Sequence, residues 1–104
     1  MTLQDLLGTE LPLIQAPMAG VQGSALAIAV SNAGGLGSLP CAMLAPEALR
    51  AELEKIRAQT TQPYNVNFFS HRPPEPDERR EAMWRQSLAH YYREYDIDPA
   101  TIPA

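Results

Sequence analysis

Uncharged, apolar blocks and amphipathic blocks take turns along this chain, and glycines and prolines mark most of the joins. Leu13 and Ile14 open a short stretch without charge that runs to Pro17 and Gly20. Strand formers free of charge suit a strand buried on both faces. Pro17 lacks an N–H and fits a strand's end, not its middle. The pattern predicts a first strand over about 13–17, opening into a glycine-bearing loop at 18–23. Ser24 then reads as the N-cap of a helix to about Ala33, apolar nearly all round and so buried on most sides. Gly34 and Gly35 stop it. Leu36 to Leu39 reads as a brief second strand. Pro46 opens a second helix to about Gln59, with Leu49, Leu53 and Ile56 at i, i+4, i+7. Arg50, Glu52 and Glu54 read as its solvated face. Tyr64 to Phe69 is a third strand, with Asn65 and Asn67 on one face and Val66 and Phe68 on the other. After a proline-rich loop, a helix over about 78–95 sets Trp84, Leu88, Tyr91, Tyr92 and Tyr95 on one stripe, the spacing of core packing. Asp96 to Ala104 reads as loop. Before all of this, Thr2 to Leu7 reads as a short capped helix that covers a sheet end, with Asp5 in its first turn and Gly8 closing it.

The order is β-α-β-α-β-α. Such alternation implies right-handed crossovers and a parallel sheet. A repeat of about 25–30 residues matches one unit of a (β/α)8 barrel, in which roughly 250 residues carry eight units. Three strands do not close a barrel, which takes about eight. The expected fold is α/β: the opening βαβαβα units of a TIM barrel, incomplete in residues 1–104.

Composition narrows the functional classes. The chain has 104 residues, 45% of them hydrophobic and 19% charged, with a net charge of −4. That balance gives no basic footprint for nucleic acid. No apolar run approaches the ~20 residues of a membrane span. No basic region followed by an apolar run marks a signal peptide. Cys41 is the only cysteine, which favours a reducing cytoplasm and reads as a small apolar filler more readily than as a nucleophile.

The residues that bear chemistry gather at predicted strand ends. In α/β folds, ligands bind at the C-terminal edge of the sheet. Ala16 to Gly20 occupies that edge after the first strand, and Asn67 occupies it in the third. An amide donates and accepts at once. That matches the alternating C=O and N–H groups of a flavin pyrimidine ring, and equally a bond to a neighbouring loop. Gly34-Gly35-Leu36-Gly37 lies at a helix-to-strand turn, whereas phosphate binding needs a strand-to-helix turn, so a helix stop accounts for it. His71 follows the third strand, where a base could stand. No histidines, cysteines or carboxylates have metal-ligand spacing.

Three stretches together resemble the N-terminal part of the nitronate monooxygenases. They are Leu13-Ile14-Gln15-Ala16-Pro17-Met18-Ala19-Gly20, Ala29-Val30-Ser31-Asn32-Ala33-Gly34-Gly35-Leu36-Gly37-Ser38-Leu39 and Asn65-Val66-Asn67-Phe68-Phe69. The related FMN-dependent enoyl-acyl-carrier-protein reductases share the Ser-x-Ala-Gly-Gly-Leu-Gly pattern, but Ala16-Pro17-Met18 and the Phe68-Phe69 ending look more like the nitronate enzymes. The resemblance implies a single FMN-binding TIM-barrel domain of which residues 1–104 are the N-terminal part, and oxidation of alkyl nitronates such as propionate 3-nitronate with O2. It implies that Ala16, Pro17 and Met18 set backbone against the flavin and that Asn67 hydrogen-bonds it. It also implies that the catalytic histidine and the phosphate-binding positions lie beyond residue 104, and His71 does not match the catalytic position. The 104 residues alone are therefore expected to be inactive. A reading of another class is a non-catalytic module that associates through its strand edges and apolar helix faces.

Overall fold

The computed structural model describes residues 1–102, in two units, Met1–Ser70 and His71–Ala104. The first unit starts with helix α1, Leu3–Leu7, closed by a reciprocal cap. The Asp5 N–H donates to the Thr2 hydroxyl at 3.2 Å, and the Thr2 N–H donates to the Asp5 carboxylate at 2.8 Å. These two bonds satisfy donors that every helix start leaves open. The chain then reaches the glycine stop before the sheet, where Glu10 and Leu11 donate to the Gly34 carbonyl at 3.0 and 2.9 Å. The segment after α1 thus lies at the N-terminal end of the strands, but α1 itself buries no residue, and the expected apolar cover by Leu3 and Leu6 is not formed.

Strands β1, Gly37–Pro40, and β2, Tyr64–Asn67, pair in parallel, from Gly37 opposite Tyr64 to Pro40 opposite Asn67. The fold is α/β with a small parallel sheet, as the alternation implied. β2 stops two residues short of the prediction, leaving Phe68 and Phe69 outside the ladder and exposed.

The first predicted strand is reduced to a single parallel bridge, Ile14 to Leu36. Its two hydrogen bonds run from the Gln15 N–H to the Leu36 carbonyl and from the Leu36 N–H to the Leu13 carbonyl, each 2.9 Å. Leu13 and Ile14 are 50% and 51% exposed, not buried on both faces. A strand is buried twice only where a layer covers each side, and the described residues supply no second layer there.

Helix α2, Ser24–Asn32, corrects two expectations. Gly23 is its N-cap and Ser24 its first residue, without a side-chain cap. The open Ser24 N–H donates instead to the Glu52 carboxylate at 2.7 Å. The helix is also one-sided: Ser24, Ala27, Ile28 and Ser31 are its buried residues, while Leu26 is exposed. Those four positions form one stripe at i, i+3, i+4, i+7, the face that meets β1 and the next helix.

That next helix, α3, spans Pro46–Gln59 with proline in its first turn, the predicted bounds. Ile56 is fully buried, and Leu49 and Leu53 pack on the core of Ala27, Ile28, Leu39, Cys41 and Ile56. Glu52, expected on the solvated face, is instead half-buried and links the two helices. The Lys55 ammonium, 2.6 Å away, and then the Ser24 hydroxyl and N–H hold its carboxyl well below the ordinary range, at about 2. A carboxylate favoured by the fold stabilises it above the unfolded pKa of about 4.3, and loses that contribution as pH falls towards 2. Glu52→Gln is expected to cost about 1 kcal/mol at neutral pH and to flatten the acid limb of stability between about pH 4.5 and 2. Urea unfolding across that range checks both, and an unchanged acid limb would remove Glu52 from the account.

The second unit holds helices α4, Glu78–Ser87, and α5, Ala89–Glu94, and a short 3-10 turn at Pro99–Thr101. Asp77 caps α4 by accepting from the Arg80 N–H at 3.0 Å. One continuous helix was expected, but it breaks at Leu88. There the Ser87 hydroxyl donates to the Trp84 carbonyl at 2.7 Å, the same acceptor that the Leu88 N–H uses. Such side-chain competition loosens a helix ladder. The aromatic stripe is not core within this unit: Trp84 is 63% and Tyr95 67% exposed, because no other element of the unit covers that face. The predicted terminal loop contains the 3-10 turn, tied back by the Arg85 guanidinium to the carbonyls of Pro99 and Ile102 at 3.0 and 3.2 Å. Its last residues, Pro103 and Ala104, lie outside the described residues.

Candidate functional site

Parallel strands turn the N–H and C=O of alternate residues to opposite neighbours. Leu36 gives both groups to the Leu13–Gln15 segment. Ser38, two residues on, presents its pair to the same edge, and there two glutamine side chains take the place of a strand. The Ser38 N–H donates to Gln15 Oε1 at 2.9 Å, and Gln22 Nε2 donates to the Ser38 carbonyl at 3.0 Å. The glutamines also meet each other, Gln15 Nε2 donating to Gln22 Oε1 at 2.5 Å and to the Ala16 carbonyl at 2.6 Å. Gln22 Oε1 accepts a further bond from the Met18 N–H at 3.0 Å. The loop from Ala16 to Gly20 is thus fastened to the sheet by side-chain amides. Within it, the Val21 N–H donates to the Met18 carbonyl at 3.3 Å, and Gly20 has φ +81°. Glycine at the third position of such a turn allows the positive φ that a type II turn demands.

The neighbouring strand ends supply the rest. Pro40 pairs with Asn67, and the Cys41 N–H donates to the Asn67 carbonyl at 2.9 Å. Asn65, on the same face as Asn67, is satisfied by donating to the Ser38 hydroxyl at 3.1 Å. The Asn67 side chain is half-buried and its amide makes no hydrogen bond among the described residues. A half-buried amide with no protein partner among the described residues, at a strand's C-terminal end, suits a ligand with both donors and acceptors. Cys41 is buried and donates to the Leu39 carbonyl at 3.3 Å; burial pushes its thiol up, against a backbone hydrogen bond from Asn67. This agrees with a filler and not with a nucleophile.

A hollow of about 490 Å³ opens beside these strand ends, between the Ala19–Gly23 loop and the Pro40–Leu44 turn. Its volume lies within the ~300–1,000 Å³ of small-molecule sites. The structure therefore brings Ala16, Pro17, Met18 and Asn67 to one end of the sheet, but the wall of the hollow is made by Ala19, Gly20 and Val21, one step further along the loop. Gln15 and Gln22 were not anticipated as site residues. Their signal in the sequence is a polar side chain on each side of an otherwise uncharged loop. The glycine turn ends α2 as expected, with Gly34 at φ +95°. His71 is exposed and belongs to the second unit. Among the described residues, no three His, Cys, Asp or Glu side chains form a metal cluster, and no helix is long and apolar enough to cross a membrane.

Known proteins resemble the chain over most of its length. The family model described as nitronate monooxygenase matches residues 1–101. A nitronate monooxygenase of Pseudomonas aeruginosa is 48% identical over 94 residues, which are 90% of this chain and 27% of that protein. Among solved structures, nitroalkane oxidase from Streptomyces ansochromogenes superposes with a TM-score of 0.69 at 35% identity, covering 92% of this chain and 26% of its own. FabK from Thermotoga maritima follows at 0.63 and 30%, covering 91% and 27%. The chain spans about a quarter of the length of these relatives.

Proposed function

Since the chain belongs to the nitronate monooxygenase family, we propose that it is the N-terminal part of an FMN-dependent nitronate monooxygenase. Its strands open a (β/α)8 barrel, and residues 1–104 belong to one FMN-binding domain. The substrates are a small alkyl nitronate, such as propionate 3-nitronate, and O2, in the cytoplasm. The observation that carries this reading is the meeting, at one sheet end, of an apolar backbone loop and a half-buried amide that bonds no described residue. FMN, when bound, supplies the redox chemistry by accepting electrons from the nitronate and passing them to O2. The chain's own part is orientation. Ala16, Pro17 and Met18 offer backbone and apolar surface to a flat ring. Asn67 offers a donor and an acceptor to its polar edge. The Met18 side chain, 43% exposed, is free to shield a bound ring from water. The base and the phosphate grip belong to the rest of the enzyme, so residues 1–104 by themselves are expected neither to retain FMN through gel filtration nor to oxidise nitronates.

The likeness to FabK sustains a second reading, an FMN-dependent enoyl reductase. Oxygen uptake separates the two. The full-length protein, loaded with FMN, is expected to consume O2 on addition of propionate 3-nitronate without NAD(P)H. Uptake only with NAD(P)H, and none with nitronate, would favour the reductase.

A further inference from the structure

We propose that Gln22, acting with Gln15, is a positioning residue for the flavin. This rests on the proposed function. The two amides continue the first strand after its main chain has left the ladder. Through them, Ser38 on β1 holds the Met18 N–H and the Ala16 carbonyl, the two ends of the segment assigned to the flavin. Each glutamine uses both its donor and its acceptor, and each bonds to the other. Removing either amide leaves the other without its partner, so the pair acts as one network. The loop's height above the sheet, and hence the plane on which a flavin would rest, is set by side chains.

The test uses the full-length protein, stripped of flavin and titrated with FMN. Gln15→Ala and Gln22→Ala are each expected to raise the FMN Kd about fivefold, the size of one lost hydrogen bond. The double variant is expected to stay within about twofold of either single one, since one network is lost once. The visible absorption bands of bound FMN are expected to shift in all three. Ile56→Val, in the core, provides the contrast: it lowers Tm and leaves the bands in place. Parental Kd and bands in Gln22→Ala would overturn the inference, as would a double variant whose losses multiply. A parent protein that takes up no FMN would overturn the proposed function instead.

Discussion

Gly37→Ala is expected to abolish the native fold of the first unit or to destabilise it by more than about 3 kcal/mol, beyond the ordinary cost of overpacking. A β-carbon at Gly37 would stand 2.0 Å from the Ala27 carbonyl oxygen, 2.7 Å from its carbon and 2.7 Å from Ser31 Oγ. Two of these atoms are helix backbone and have no rotamer to change. Ser31 cannot give way cheaply either. Its hydroxyl accepts from the Gly37 N–H at 3.1 Å and donates to the Pro63 carbonyl at 2.9 Å, so it joins α2 to the start of β1 and to the residue just before β2. A shift of α2 would also disturb Ala27 and Ile28 in the core. Gly20→Ala makes the contrast. Its added carbon meets nothing within 4 Å, and the strain comes from φ +81° alone, a cost of about 1 kcal/mol. Thermal and urea unfolding of the two variants distinguish crowding from strain. A Gly37→Ala protein as stable as its parent would mean that α2 does not lie on β1 as described.

Asn67→Ala in the full-length protein is expected to raise the FMN Kd about tenfold or more. Two hydrogen bonds to a flavin edge, at about 0.5–1.5 kcal/mol each, multiply to that order. Folding should be little affected, because the Asn67 side chain bonds no described residue, and its carbonyl, which holds the Cys41 N–H, survives the substitution. That separates it from Asn65, whose amide is used within the sheet. Asn65→Ala is thus expected to act first on stability. Flavin fluorescence on titration gives the Kd, and an unchanged value for Asn67→Ala would remove Asn67 from the site.

What the sequence made legible was local. The capping pair of Thr2 and Asp5, the proline start of α3 and the i, i+4, i+7 spacing of Leu49, Leu53 and Ile56 each act within a few residues, and each stands where expected. The placement of Asn67 at the C-terminal end of its strand also followed from strand direction, while Ala16–Met18 reach the same end through the Ile14–Leu36 bridge and the two glutamines. The features that escaped depend on partners distant in the chain. Ser24 reads as a cap, but Glu52, 28 residues on, takes over that role. Leu13 to Pro17 reads as a full strand, yet after one bridge the edge of β1 is completed by Gln15 and Gln22, and no propensity marks a glutamine as a substitute for backbone. The Trp84–Tyr95 stripe has the spacing of a core, but periodicity shows that a face is apolar without showing what covers it.

The central claim is that FMN rests on the C-terminal edge of these strands, and amide hydrogen exchange tests it most directly. Full-length protein is compared with and without FMN, following peptides from this segment. Slower exchange with FMN is expected at residues 16–22 and 67–69, with little change in α3. FMN binding that leaves residues 16–22 exchanging at the flavin-free rate would contradict the account.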